Sequence, residues 1–293
     1  MSFLQVALDG IALGSAYALV AAGFVLTLNA SRAVNFAHGD LVMVGGFAAV
    51  VLLALLPGLP LPGVVILLLV LLLLGVVGLV VAGVAFLPLR GRPVVAVFVS
   101  TIAVGIILQN AATALFGAQV RVGPSLIGGG LVEIAGLKLG RQGLAVIAVA
   151  AVAYLGLHFL LAKTQLGRRL RAAAQDPAMA EALGIPVTRM ILTAFALSAA
   201  LAGAAGVLLS NSYFVSPTEG ANLMLKAYIA ATIGGWGRLH GAALGALAIG
   251  LFETVAATLA GPVAAEAMLY GALLAVLAFK PSGFFGEQAG SRA

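Results

Sequence analysis

Read for hydrophobic and polar positions, the chain is a succession of long apolar runs broken by short polar stretches. The runs fall near 4–28, 41–57, 63–88, 93–116, 143–162, 189–210, 223–236, 241–260 and 263–279. An α-helix needs about 20 apolar residues to cross a hydrocarbon core of about 30 Å. All but one of the runs meet or approach that length. The pattern predicts an all-α fold, a polytopic transmembrane helical bundle of about eight to nine spans in a single domain over 1–293. Run 223–236 is the short one, and it either crosses or dips in and returns.

The breaks carry their own signals. Between 117 and 142, the segment LVEIAGLKL alternates apolar with polar around Ala135-Gly136 and predicts a small β-hairpin. Pairs such as Gly10/Gly14 and Gly241/Gly245 place small residues one turn apart, which lets helix backbones approach closely in lipid. A short echo links Asn35–Ala49 with Trp236–Ala248, each opening an apolar helix on a His-Gly step, and it raises the expectation of an internal repeat.

Orientation follows from where Lys and Arg fall, because cytoplasmic loops carry the excess. Lys163, Arg168, Arg169, Arg171 and Arg189 crowd the break at 164–189. With that break inside and the runs alternating, eleven of the fifteen basic residues face the cytoplasm. The N-terminus is then outside and the C-terminus inside, on the condition that 223–236 crosses; were it re-entrant, the last two spans would invert.

Composition narrows the class further. A 63% hydrophobic content and only 8% charged residues leave too little charge to cover a soluble surface, so lipid is the expected solvent. The net charge of +6 is explained by topology, since the bases sit at the ends of apolar runs, and a nucleic-acid partner is not expected. With no cysteine, disulfides, thiolate metal sites and cysteine nucleophiles are excluded. The first run carries Asp9 and lacks a basic leader, so it is expected to remain as a span.

No G-x-x-x-x-G-K-[ST] phosphate loop, H-E-x-x-H pair or paired carboxylates occur, and His38, His158 and His240 are scattered. The chain is therefore expected to be no enzyme, with no cofactor and no metal. Polar residues at membrane depth still need protein or water to face. Asn35, His38, Asp40, Gln109, Asn110, Lys226 and Glu253 are the candidates to line a pathway. Asn35 to Asp40 reads equally as a tight cytoplasmic turn with Asn35 capping the next helix, or as a broken helix. Gln109 and Asn110 suit interhelical hydrogen bonds at least as well as a pathway, and Lys226 with Glu253 either pair across a pore or satisfy each other structurally.

The break at 164–189 holds a carefully terminated helix. In QDPAMAEALGIP, Asp176 suits the N-cap, Pro177 the first helical position, Gly184 the left-handed residue after the last turn, and Pro186 blocks continuation. A helix this short gains order only by packing. Ala178, Met179, Ala182 and Leu183, with Glu181 alongside, form an apolar face suited to a groove on a partner. The neighbouring Arg168, Arg169 and Arg171 also serve as topogenic charge and headgroup contacts.

Taken in order, GSAYALVAAGFVLT, NFAHGDLVMVGGF, LGRRLRAAAQDPAMAEALGIP, FALSAALAGAAGVLLS and IGGWGRLHGAALGALAIG resemble the permease subunit of ABC importers for branched-chain amino acids, the LivH type, over about 4–285. The resemblance implies that Ala172–Leu183 corresponds to the coupling loop, with Glu181 and Gly184 matching its acidic residue and glycine. Arg168, Arg169, Arg171, Asp176, Glu181, Leu183 and Gly184 are thus the expected ATPase-coupling residues, within a cytoplasmic coupling loop at 164–189. It further implies a second permease subunit in a heterodimeric pore, two ATP-binding subunits, a periplasmic substrate-binding protein, and a multi-pass position in the bacterial inner membrane. Leucine, isoleucine and valine are the implied cargo. Urea or short amides carried by a related permease, an ion-coupled secondary transporter and a membrane scaffold are the alternatives.

Overall fold

In the computed structural model, the described residues are 3–56, 62–128, 130–134 and 137–280. They form eleven α-helices and one hairpin. Helix α1 spans Phe3–Ser31, α2 His38–Leu55, α3 Pro62–Val81, α4 Val94–Phe116, α5 Arg141–Lys163, α6 Gln165–Gln175 and α7 Pro177–Ala182. They are followed by α8 at Val187–Ser212, α9 at Glu219–Gly234, α10 at Leu239–Ala260 and α11 at Pro262–Phe279. Eight of these, all but α6, α7 and α9, are long and apolar enough to cross a membrane. Strand β1 (Leu131–Ile134) pairs antiparallel with β2 (Leu137–Gly140) in the register Val132 to Leu139. The expected hairpin is present, and its Ala135-Gly136 turn lies outside the described residues.

Helices α1 and α8 form the buried centre; nearly every residue of α1 from Ala12 to Leu28 is enclosed, as is most of α8. Helix α1 packs chiefly on α10 and α8, and α8 packs on α3 and α2. The α1–α10 contact is antiparallel and built on missing side chains. A Cβ on Gly10 would meet Leu251 Cα at 2.9 Å and one on Gly14 would meet Leu247 Cα at 2.8 Å. In lipid such close backbone approach supplies the dispersion energy that water would otherwise drive. Gly241 and Gly245 do the same for α10 against α9, facing Gly234 and Ala230.

Two helices start in the middle of the bundle. Arg32, just past α1, donates from Nη2 to the carbonyls of Gln175 (2.8 Å) and Ala174 (3.3 Å), which fixes the end of α1 beside α6. His38, the first residue of α2, nevertheless has its Nε2 2.9 Å from Val20 O. Val20 lies 11 residues before the end of α1, or about 16 Å at 1.5 Å per residue. The chain between Arg32 and Ala37 therefore turns back, and α2 begins near half depth. Helix α9 mirrors this, because Gly220 in its first turn abuts Gly39 and Asp40 in the first turn of α2.

The two return segments share a local device. Arg32 (φ 55°) and Phe214 (φ 62°) are the non-glycine residues with positive φ among the described residues, one after α1 and one after α8. Three residues before each, an asparagine side chain donates to a glycine carbonyl: Asn29 to Gly237 (2.9 Å) and Asn211 to Gly123 (3.0 Å). Helix–return–half-helix thus occurs twice in opposite directions, as α1–α2 and α8–α9. This likeness pairs α1–α2 with α8–α9, whereas the short sequence echo links the start of α2 with the start of α10.

The same geometry resolves run 223–236. Helix α9 starts at half depth and finishes at the α6 end, where Gly237 meets Asn29 and Trp236 packs edge-on to Phe24 at 6.0 Å. After α8 has crossed and the 213–218 segment has returned, α9 completes the crossing. Helices α10 and α11 keep their expected directions.

Candidate functional site

Two regions stand out, one at each end of the return after α1. The first is the α6–α7 hairpin. Thr164 caps α6, its Oγ1 accepting from Gly167 N at 3.1 Å, and Asp176 caps α7, its Oδ1 accepting from Met179 N at 3.0 Å. Each such cap contributes about 1 kcal/mol. Helix α7 ends on Gly184 at φ +76°. There Ile185 N donates to Ala180 O (2.9 Å) and Gly184 N to Glu181 O (3.0 Å), the paired bonds of a Schellman ending. Both ends expected from QDPAMAEALGIP are therefore present.

What α7 buries is small and what it displays is apolar. Ala180 faces inward at 3% exposure, whereas Met179 and Leu183 are 58% and 73% exposed. Ala178 and Ala182 are exposed beside them. Glu181 is held from behind by Arg90, Nη2 to Oε1 at 2.9 Å, and Arg90 Nη1 also donates to Thr188 Oγ1 at 2.8 Å. Arg168, Arg169 and Arg171 are exposed on α6. Arg32 and Arg90 tie this unit to the segments that follow α1 and α3, a role the local sequence does not mark because their partners are remote in the chain.

The second region is a cavity of about 480 Å³ between α2, α4 and α9. Phe36 and Asp40 line it from the α1–α2 return, Ile102, Ile106 and Gln109 from α4, and Ala221, Met224, Leu225 and Tyr228 from α9. Gln109 Nε2 donates to Asp40 Oδ1 at 2.8 Å. Of the seven candidate pathway residues, Asp40 and Gln109 are brought together here. The apolar lining was not legible in advance, since every run on this chain is rich in Ile, Leu and Met.

The others go elsewhere. His38 is fully buried between α1 and α8, with Nδ1 3.2 Å from Ser198 Oγ, so it lines nothing. Asn35 makes a local turn, Oδ1 accepting from Ala37 N at 3.2 Å, and does not cap α2, whose N-cap is Ala37; its Nδ2 is buried without a partner. The 35–40 segment is a return at half depth and not a cytoplasmic turn. Asn110 is exposed and bonds Ile106 O on its own helix at 2.8 Å. Lys226 donates to Glu253 Oε1 (2.7 Å) and Tyr17 OH (2.9 Å), an ion pair shared among α9, α10 and α1 on the face of α9 away from the cavity. His158 lies against His240, ring centroids 4.9 Å apart, and His240 Nδ1 is 2.7 Å from Tyr154 OH.

At the opposite end from α6–α7, a smaller cavity of about 230 Å³ is lined by Asp9, Gln142 and Tyr213 among others. Burial pushes the Tyr213 phenol up to about 12, and the carboxylates of Asp9 and Glu253 act in the same direction. The phenol is thus a neutral hydrogen-bonding group at ordinary pH.

Residues 6–278 match the family described as branched-chain amino acid transport system / permease component. The high-affinity branched-chain amino acid transport system permease protein BraD of Pseudomonas aeruginosa is 32% identical, covering 97% of this chain and 96% of that protein. LivH of Escherichia coli K12, bearing the same description, is 30% identical with the same coverage. A probable LivH of Methanocaldococcus jannaschii is 29% identical over 88% of this chain and 83% of its own. No solved structure gives a significant match. A polytopic helical bundle with a twice-capped hairpin at one end, matched across nearly its whole length, belongs to the permease component family of branched-chain amino acid transport systems.

Proposed function

We propose that this chain forms half of the translocation pathway of an ABC importer for leucine, isoleucine and valine in the bacterial inner membrane. Its pore partner is a second permease subunit of different sequence, with two ATP-binding subunits on the cytoplasmic side and a periplasmic substrate-binding protein outside. The observation that carries this reading is α7, a helix too short to stand alone. It is capped at both ends, braced by Arg90 and exposes Met179 and Leu183 to the side where the basic residues gather. Such a helix fits a groove on a partner. A push on it would reach α3 through Arg90 and the α1–α2 return through α6 and Arg32.

Hydrolysis belongs to the partner subunits, since this chain has no phosphate loop. The role of Arg168, Arg169 and Arg171 is to hold α6 against headgroups and acidic surface on the ATPase.

The test is ATP hydrolysis in proteoliposomes holding this chain with its co-purifying subunits. Binding protein loaded with leucine, isoleucine or valine should stimulate it. Stimulation by urea alone would move the cargo to short amides, and uptake driven by an ion gradient without ATP would overturn the reading.

A further inference from the structure

Asp40 is a carboxylate near half depth, 4% exposed, with no cation against it. Among the described residues the ion pairs are Arg90–Glu181 and Lys226–Glu253, so the one lysine inside a span is committed to Glu253. An uncompensated carboxylate at membrane depth is costly, and such residues persist where they meet something charged that passes or binds.

The surroundings make room for this group without neutralising it. A Cβ on Gly105 of α4 or on Gly220 of α9 would collide with the Asp40 carboxylate oxygens, so both glycines let α4 and α9 close on a carboxylate that a side chain there would displace. The first turns of α2 and α9 converge here. Gln109 donates to Oδ1 and fixes the carboxylate plane. Past the carboxylate the cavity walls are apolar: Phe36, Ile102, Ile106, Met224 and Leu225.

One anionic group at the edge of an open apolar groove of about 480 Å³, with Ile102 and Ile106 44% and 53% exposed, is complementary to a single positive charge attached to a branched aliphatic body. Urea offers no such body, so the apolar lining separates an aliphatic amine from a short amide. Resting on the transport function above, we propose that this cavity is a cargo site in which Asp40 receives the α-ammonium group of the amino acid and Ile102, Ile106, Met224 and Leu225 receive its side chain. Gln109 acts as a positioning residue for Asp40.

The chain contains no cysteine, so a single Ile106→Cys substitution gives a unique thiol in the cavity wall. In the assembled complex, its labelling by a cationic aminoethyl methanethiosulfonate should exceed that by the anionic sulfonatoethyl reagent by roughly tenfold, the size expected for focusing by one buried charge. Adding Asp40→Asn should remove the preference. Leucine and isopentylamine, which keep the ammonium, should slow labelling, whereas 4-methylpentanoate, which has the same tail without it, should not. The ligand comparison needs no change at Asp40 and so holds even if Asp40→Asn fails to assemble. Equal rates for both reagents, no labelling at all, or equal protection by 4-methylpentanoate would overturn the site. Cation preference in a complex whose hydrolysis ignores leucine-loaded binding protein would instead overturn the transport function and leave an ammonium site of other purpose.

Discussion

Arg90 Nη2 lies 2.9 Å from Glu181 Oε1 while its Nη1 lies 2.8 Å from Thr188 Oγ1, so one guanidinium joins the end of α3 to both α7 and α8. The pair is open to solvent, with side chains 37% and 54% exposed. Its contribution to stability is therefore small, at most about 1 kcal/mol. In the proposed coupling it supplies direction, as one route by which displacement of α7 would be passed toward the segment that follows α3.

Glu181→Arg should consequently leave insertion and thermal stability near those of the parent while lowering solute-stimulated hydrolysis by roughly tenfold, a loss of about 1.4 kcal/mol in coupling. The charge swap Arg90→Glu with Glu181→Arg should recover part of the loss. Normal uptake by well-expressed Glu181→Arg would refute the coupling role of α7.

Gly184 sits at φ +76° with open space where a Cβ would go, so only backbone conformation forbids a side chain. Gly184→Ala should cost about 1 kcal/mol and Gly184→Val more, through loss of the ending of α7. The measurement is the rate of limited proteolysis between 177 and 189 in membranes; equal protection of all three proteins would show that the turn does not govern the order of α7.

The junction of α2 and α9 has no such tolerance. A Cβ on Gly39 would strike Gly220 O, and one on Gly220 would strike Asp40. Gly39→Ala and Gly220→Ala should each destabilise by about 1–3 kcal/mol. Gly156→Ala on α5, where nothing lies within 4 Å, should be neutral or slightly stabilising. Detergent melting curves separate the two groups, and similar shifts for all three would contradict the close approach.

Lys226 and Glu253 test structure against transport. Removing the cation alone, Lys226→Met, leaves Glu253 uncompensated and should cost about 3–5 kcal/mol. The double change with Glu253→Met should recover most of that stability together with transport. If the double variant were stable yet inactive, the pair would have a part in moving cargo or an ion beyond holding α1, α9 and α10 together.

Legibility in the sequence followed the range of the interaction. The hairpin at 131–140 and both ends of α7 were readable because Asp176, Pro177 and Gly184 act within one or two turns. The spans were readable because a hydrocarbon core demands length and apolarity from each helix separately. The half-depth starts of α2 and α9 were hidden. A return of six residues such as 32–37 or 213–218 looks in sequence like any short loop, and only Gly39 against Gly220 shows how deep it reaches. His38 illustrates the same limit, for a polar residue in an apolar stretch advertises a pathway equally well when its ring is locked between Val20 and Ser198. Asp40 and Gln109 sit 69 positions apart, and their partnership exists only once α4 is folded onto α2.

Starting two helices at half depth alters the energy profile a solute experiences. A lipid bilayer opposes a zwitterion most strongly at its centre, where water is most distant. In this protein the centre is where the first turns of two helices, a carboxylate and an amide side chain gather. The steepest part of the barrier is thereby lowered where it is highest. In the proposed cargo site a permeant would rest at that level, beside the first turns of both α2 and α9.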